Sequence, residues 1–312
     1  MTEITSTRSN HLIDPSFHAW GWEIPVYLFL GGLVAGMMVI TGYFFLSGRY
    51  KNLRSSVYVL PSLGLGLLSL GMLALFLDLE HKLYTWRLYT TFEPLSPMSW
   101  GAWILLLVYP TLLASLVLRP PAPLARRLPK LAALSETLAE HPMWIKWVGS
   151  LNMFLGALLG VYTGVLLSSL AARPLWNSAL LGPLFLISGL SASAAFVHLI
   201  AGDVFERELL AKADNGFLIG ESIFLALFLG GLLTSTAAQQ AAGRLLVDGP
   251  FGAFFWVVVV LLGILLPLSI QLLAVNHRVA HTPVAPILVI AGGLALRFLI
   301  VQAGQASYLP AF

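Results

Sequence analysis

Glu23, Asp78, His81, Glu221 and Arg297 are where chemistry has to be sought in this sequence, because each stands in or at the edge of a long apolar run. An ionisable group at the centre of a bilayer costs at least about 2.5–3.5 kcal/mol, so each is a functional candidate by default. The candidates fall into two groups. In the first, Trp20, Trp22 and Glu23 open the first run, and Asp78, Glu80 and His81 close the second. The segment Tyr84 to Ser99 leads into Trp100-Gly101-Ala102-Trp103, Tyr162 and Thr163 come near the end of the fourth run, and Arg173, Trp176 and Asn177 open the fifth. Five segments thus bring aromatic, acidic and amide groups to one membrane surface. Aromatic walls with a few placed polar groups suit a quinone headgroup, and a carboxylate or His beside it can exchange the protons its reduction needs. An aromatic belt is the plainer alternative. It accounts for single Trp residues but poorly for Asp78.

The second group lies toward the other surface: His198, Asp203 and Glu206 at the end of the fifth run and Glu221 early in the sixth. His198 and Glu221 are expected at similar depth, as a proton entry path or as an interfacial ion pair fixing two helices. Arg297, well inside the last run, is expected to pair with a carboxylate in the bundle.

The elements that must position these residues follow from composition. Of 312 residues, 58% are hydrophobic and 10% charged, with a mean hydropathy of +0.86. Ordinary soluble domains carry about 25% charged residues, so the solvent for this much apolar surface is lipid. A bilayer core of roughly 30 Å takes about 20 helical residues. Eight runs qualify: 24–46, 57–79, 98–118, 147–170, 177–201, 217–236, 251–275 and 284–302. The reading is an all-α integral membrane protein of about eight transmembrane helices in two packed bundles. Residues 1–23 and 303–312 flank the helical domain, and the longest connection, 119–146, holds an amphipathic stretch read as an interfacial helix.

Loop charge sets orientation. One side collects Arg49, Lys51, Arg54, Arg119, Arg126, Arg127, Lys130, Lys146, Arg207, Lys212 and Arg278; the other has Arg8, Lys82, Arg87, Arg173 and Arg244. The even number of runs puts both termini on the poorer side, which predicts a cytoplasmic (inner) membrane protein with both termini periplasmic in a Gram-negative cell. Basic residues confined to loops speak for topology and not for nucleic-acid binding. Met1 to Trp22 is polar and mixed, without the basic-then-apolar pattern of a cleavable signal.

The sequence has no Cys, which excludes an iron–sulfur cluster of its own. Bis-histidine haem needs His pairs near the membrane midplane. Of His11, His18, His81, His141, His198, His277 and His281, only His198 lies within a run, near one end. Electrons are therefore expected from another subunit. The segment Leu28-Phe29-Leu30-Gly31-Gly32-Leu33 recurs as Leu227-Phe228-Leu229-Gly230-Gly231-Leu232, after Glu23 and Glu221 respectively. An inverted repeat and chance recurrence of Leu, Phe and Gly are both open readings.

Trp22-Glu23-Ile24-Pro25-Val26-Tyr27 followed by Gly31-Gly32-Leu33-Val34-Ala35-Gly36 resembles the first span of the NrfD family, which includes the polysulfide reductase membrane subunit. Asp78-Leu79-Glu80-His81 with Ser96-Pro97-Met98-Ser99-Trp100-Gly101-Ala102-Trp103 is similar to that family's second-to-third connection. Tyr162-Thr163-Gly164-Val165-Leu166-Leu167 and Arg173-Pro174-Leu175-Trp176-Asn177 are similar to its fourth-to-fifth motif. The resemblance covers roughly Trp20 to Ser193. It implies a subunit of eight or nine helices without cofactors, binding menaquinone or ubiquinone as substrate near the outer surface. It also implies a ferredoxin-like iron–sulfur partner, leading to a catalytic subunit, commonly a molybdopterin enzyme. By position Tyr162 matches a tyrosine of the family's quinone pocket, and Asp78 falls where the family places an acid. Tyr27 stands where the polysulfide reductase subunit has a histidine, which shifts expectation for that role to Glu23 or His81.

Two other classes compete. A secondary transporter would place broken helices and paired acids at midplane, whereas these polar residues gather near the surfaces. A passive anchor would bind no quinone at all.

Overall fold

The computed structural model describes residues 20–49, 55–79, 81–170, 172–275 and 282–307. Among these, eight helices are long and apolar enough to cross a membrane: α1 (Glu23–Leu46), α2 (Ser55–Asp78), α4 (Pro97–Leu118), α7 (Pro142–Ser168), α8 (Leu181–Ile200), α9 (Val204–Leu233), α11 (Phe254–Val275) and α12 (Val284–Ala306). Shorter helices lie in the connections: α3 (Arg87–Thr90), α5 (Ala122–Arg127), α6 (Pro129–Ala139) and α10 (Ala237–Val247). The start of α1 and the end of α12 share one face, where the Trp20 backbone N–H donates to the Gln305 side chain at 2.7 Å. We call this the terminal face and its opposite the distal face.

The spans pack as two bundles, α1–α2–α4–α7 and α8–α9–α11–α12, joined where α1 meets α8 and α12 and where α7 meets α8. Helix α1 is buried nearly all round, as expected of a central helix that is apolar on every side. Lipid offers helices no hydrophobic drive to associate, so close backbone approach must supply it. A Cβ on Gly36 would stand 2.5 Å from the Gly189 carbonyl oxygen, and one on Gly156 2.7 Å from that of Ala35.

Two spans open with π-helical turns, Ser55–Val59 in α2 and Phe254–Leu265 in α11. Pro61 and Pro267 lie just beyond them. Each proline lacks an N–H and presses its ring on the carbonyl four residues back, at Val57 and Gly263. The wider register relieves that clash; at the junction in α11 the Leu266 N–H bonds the Leu261 carbonyl.

The main departure from the sequence reading is α9. Its charged beginning reads as a loop, with a span expected only from residue 217. The helix instead starts at Val204, because the charges are sorted by face: Glu206 and Asp214 are buried while Lys212 is exposed. Asp203 caps its start, accepting from the Phe205 N–H at 3.4 Å. The fully buried Glu206 accepts from the Ser55 and Ser56 backbone N–H groups, at 3.3 and 2.6 Å, and from the Ser56 hydroxyl. It so occupies donors that the first turn of α2 leaves over. Span α7 begins at Pro142 and α8 at Leu181, earlier and later than expected, and α12 runs on to Ala306. The 119–146 connection holds two helices, with α6 held to α4 by Ser135 donating to the Leu118 carbonyl at 2.8 Å. Helix α10 has no counterpart in the sequence reading. The two Gly-Gly pairs of the internal echo differ in surroundings: Gly31 and Gly32 pack against Thr163 and Arg297, while Gly230 and Gly231 face open space.

Candidate functional site

Beneath the terminal face, α1, α2, α4 and α7 enclose a cavity of about 410 Å³. Tyr27 enters it one turn into α1, Tyr162 from the last turns of α7, and Tyr89 from α3 in the connection above. Met72, Leu73, Phe76, Leu79, Leu88, Met98 and Leu105 supply the apolar wall. Leu73, Phe76 and Met98 are exposed on the outer surface of the bundle, so the cavity opens toward lipid between α2 and α4.

The polar content of this cavity is phenolic. Tyr27 and Tyr162 are only 3% and 5% exposed, and Tyr27, Tyr89 and Tyr162 are close enough to interact electrostatically. Among the described residues, none of these three hydroxyls takes part in a hydrogen bond. The other lining hydroxyls are committed, Ser69 to the Leu65 carbonyl and Thr85 to that of Lys82. Burial, and secondarily Tyr109, pushes the Tyr89 phenol above its ordinary pKa, so it remains a donor. Residue 101 has to be glycine for this arrangement: a Cβ there would collide with the Tyr162 hydroxyl.

Of the residues singled out from the sequence, Tyr162 lines the cavity. Asp78 ends α2 half-buried, between the lining residues Phe76 and Leu79. Glu23 sits in the first turn of α1, outside the lining. His81 is exposed beside Tyr84, and Glu80 lies outside the described residues. Trp100 is 42% exposed and donates to the Pro94 carbonyl. Thr163 is buried against α1 and bonds the Gly160 carbonyl within its own helix.

Arg173, Trp176 and Asn177 belong elsewhere, at the end of α12. Arg173 donates to the carbonyls of Gln305 and Ser307, at 2.7 and 3.1 Å, placing positive charge at a helix C-terminus. The Trp176 indole N–H donates to the Ile300 carbonyl at 2.8 Å, its ring stacks on Trp20, and it fills the space left by Gly304. The Asn177 carbonyl accepts from Gln239 of α10. These residues fasten the α7–α8 connection and the first residues before α1 to the last span.

The proton-path candidates separate too. His198, in the last turn of α8, borders a cavity of about 220 Å³ at the distal face with Leu199, Arg207, Thr282 and Pro283. Glu221 lies about 25 Å along α9 from Val204, so the two are not at similar depth; the early start of α9 is the reason. Asp203 is an exposed cap. Arg297 is buried on α12 and does face a carboxylate, Glu221. Its direct bonds, however, go to the Ser188 hydroxyl and to the Phe185 and Gly293 carbonyls, with its guanidinium 4.6 Å above the Phe185 ring.

Reasoning from sequence passed over Tyr89, Asp214 and Gln271. Asp214 accepts from the Ser191 hydroxyl at 2.6 Å and the Gln271 amide at 2.7 Å. The signal that could have found it is spacing: Glu206, Asp214 and Glu221 recur at near-heptad intervals, which is one helix face.

The architecture defines a class: a multi-pass helical membrane protein with an aromatic, hydroxyl-lined cavity under one surface and no cysteine to hold a cluster. The family described as Polysulphide reductase, NrfD, matches residues 11–308, and the protein belongs to that family. It is 30% identical to the C subunit of the polysulfide reductase of Wolinella succinogenes, with 92% of this sequence and 94% of the relative covered. It is 30% identical to protein NrfD of Escherichia coli, covering 92% and 95%. Against a protein NrfD homolog of Haemophilus influenzae the identity is 28%, covering 92% and 94%. The protein is a membrane subunit of an oxidoreductase complex.

Proposed function

We propose that the cavity under the terminal face binds a quinone headgroup and that this subunit passes electrons between the quinone pool and a redox partner docked on that face. The supporting observation is the set of three phenol hydroxyls on Tyr27, Tyr89 and Tyr162, none of them hydrogen-bonded among the described residues, around a cavity of about 410 Å³. Ligand sites run from about 300 to 1,000 Å³ and are mostly apolar with a few convergent polar groups. A quinone presents two carbonyl oxygens and no donor, so neutral phenols are the complementary groups. The opening between α2 and α4 leaves its prenyl tail in lipid.

Reduction adds two electrons and two protons to the two oxygens; oxidation removes them. The protein has no Cys, so the electrons come from, or go to, a partner, for which a ferredoxin-like iron–sulfur subunit leading to a molybdopterin enzyme is the expected class. The tyrosines orient the headgroup and hand protons between it and the terminal side, where Asp78 and His81 stand as acceptors. The proposed setting is the cytoplasmic membrane with the terminal face periplasmic.

Photolabelling with a photoreactive quinone tests this. The label is expected on peptides containing Tyr27, Tyr89 and Tyr162, and plain quinone should compete it away. Labelling spread over lipid-facing residues without competition would favour a passive anchor.

A further inference from the structure

At the distal face, a cavity of about 220 Å³ lies where one helix ends and two begin. His198 and Leu199 reach it from the last turn of α8, Arg207 from the first turn of α9, and Thr282 and Pro283 from the residues just before α12. Its polar lining is cationic or donating. Arg207 donates through Nη2 to the carbonyl of Ala201, the C-cap of α8, at 2.8 Å. That bond holds the guanidinium against the end of α8 and leaves its buried Nε without a hydrogen-bond partner. A guanidinium carries five donors in a planar fork that matches carboxylate and phosphate oxygens. His198, 6% exposed, adds an imidazole, and Thr282 a hydroxyl. Helix α12 starts at the cavity and no side chain caps it. The first-turn N–H groups of Val284 and Ala285 therefore stand without an intrahelical acceptor, at the positive end of a helix of 23 residues.

No acid offsets this charge. The cavity lining has no Asp or Glu among the described residues. Glu206, next to Arg207, is taken by Ser55 and Ser56, and Asp203 is the exposed cap of α9. A cationic cavity with a buried, unused donor suits an anion. The surroundings indicate what carries that anion. Ile200, Val204 and Phe205, where α8 gives way to α9, and Val284 and Ile287, on the first turn of α12, are all exposed apolar side chains. A free phosphate has no use for them, whereas a phospholipid lays its acyl chains on such a surface and its headgroup in a basic pocket between helices.

We propose that this cavity binds the phosphate of an anionic phospholipid, with Arg207, His198, Thr282 and the start of α12 as donors, and that the lipid is seated where α8, α9 and α12 meet. The site is separate from the quinone cavity and lies at the opposite membrane surface.

The test is native mass spectrometry of the full-length protein, titrated with phosphatidylglycerol or with phosphatidylcholine of the same acyl chains. One phosphatidylglycerol is expected to bind more tightly than any phosphatidylcholine. Arg207→Gln should weaken that binding about tenfold, the loss of one hydrogen bond to a charged group, and Thr282→Val should weaken it less. Arg126→Gln, at an exposed arginine outside the lining, should leave it unchanged. Equal binding of the two lipids by the wild type overturns the proposal, whether or not the variants fold. So does unchanged binding in a folded Arg207→Gln, and so does an equal loss in Arg126→Gln, which would mark diffuse surface charge. Displacement of the phosphatidylglycerol by inorganic phosphate overturns the lipid assignment in favour of a free anion.

Discussion

The Tyr162 hydroxyl lies against Gly101, in the space that a side chain on residue 101 would fill. Helices α7 and α4 are thereby fitted to one another at the wall of the cavity. The expected consequence is that Gly101→Ala pushes the Tyr162 ring aside, destabilises the protein by about 1–3 kcal/mol through overpacking, and weakens quinone binding. In a Tyr162→Leu background the same change should cost less, because the colliding atoms are gone. Thermal unfolding of the four variants in detergent measures this.

A second prediction separates cavity residues from surface residues. A neutral hydrogen bond is worth about 1 kcal/mol. Tyr27→Phe, Tyr89→Phe and Tyr162→Phe should each weaken binding of a short-chain quinone by about fivefold. Trp100→Phe and His81→Ala, outside the lining, should leave that affinity unchanged. Steady-state titration of each variant decides it.

The pH dependence has a definite sign. Burial raises the Tyr89 phenol above its unfolded value. Its contribution to stability is therefore complete below the ordinary phenol pKa and is lost only as pH climbs from there toward the folded-state value. Quinone affinity should consequently show no Tyr89-linked loss through the neutral range, and Tyr89→Phe, beyond its uniform loss of affinity, should change the shape of the pH profile only on the alkaline side.

Arg297 illustrates what the sequence could and could not tell. Its depth, and the need for a carboxylate facing it, follow from one charge in an apolar run, and Glu221 does face it. The eight spans were legible for the same reason: twenty apolar residues have few alternatives. The beginning of α9 was not, because hydropathy averages over a window and cannot see that Glu206 and Asp214 turn inward while Lys212 turns out. The cavity was legible in place but not in membership. Aromatic and polar residues at helix ends pointed to the surface under which this cavity lies, yet Trp176 and Arg173 share it while bonding the end of α12. Tyr89 enters from a connection whose path no periodicity encodes.

For Arg297 the prediction is structural. Removing one member of a buried charged group leaves the other uncompensated, at about 3–5 kcal/mol. Arg297→Met should lower thermal stability by that order, and Glu221→Gln in the same protein should restore part of it. Trp176→Phe, which loses the bond to the Ile300 carbonyl, should cost about 1 kcal/mol without altering quinone affinity. Unfolding curves and titrations on the same samples test both statements.

The most direct measurement is equilibrium titration of the full-length protein, in nanodiscs free of native quinone, with a short-chain quinone followed by its absorbance. The account predicts saturable binding at one site, lost in a variant carrying Tyr27→Phe, Tyr89→Phe and Tyr162→Phe together while the fold and the eight helices persist. Binding of undiminished affinity in that triple variant, or no saturable binding in the wild type, would contradict it.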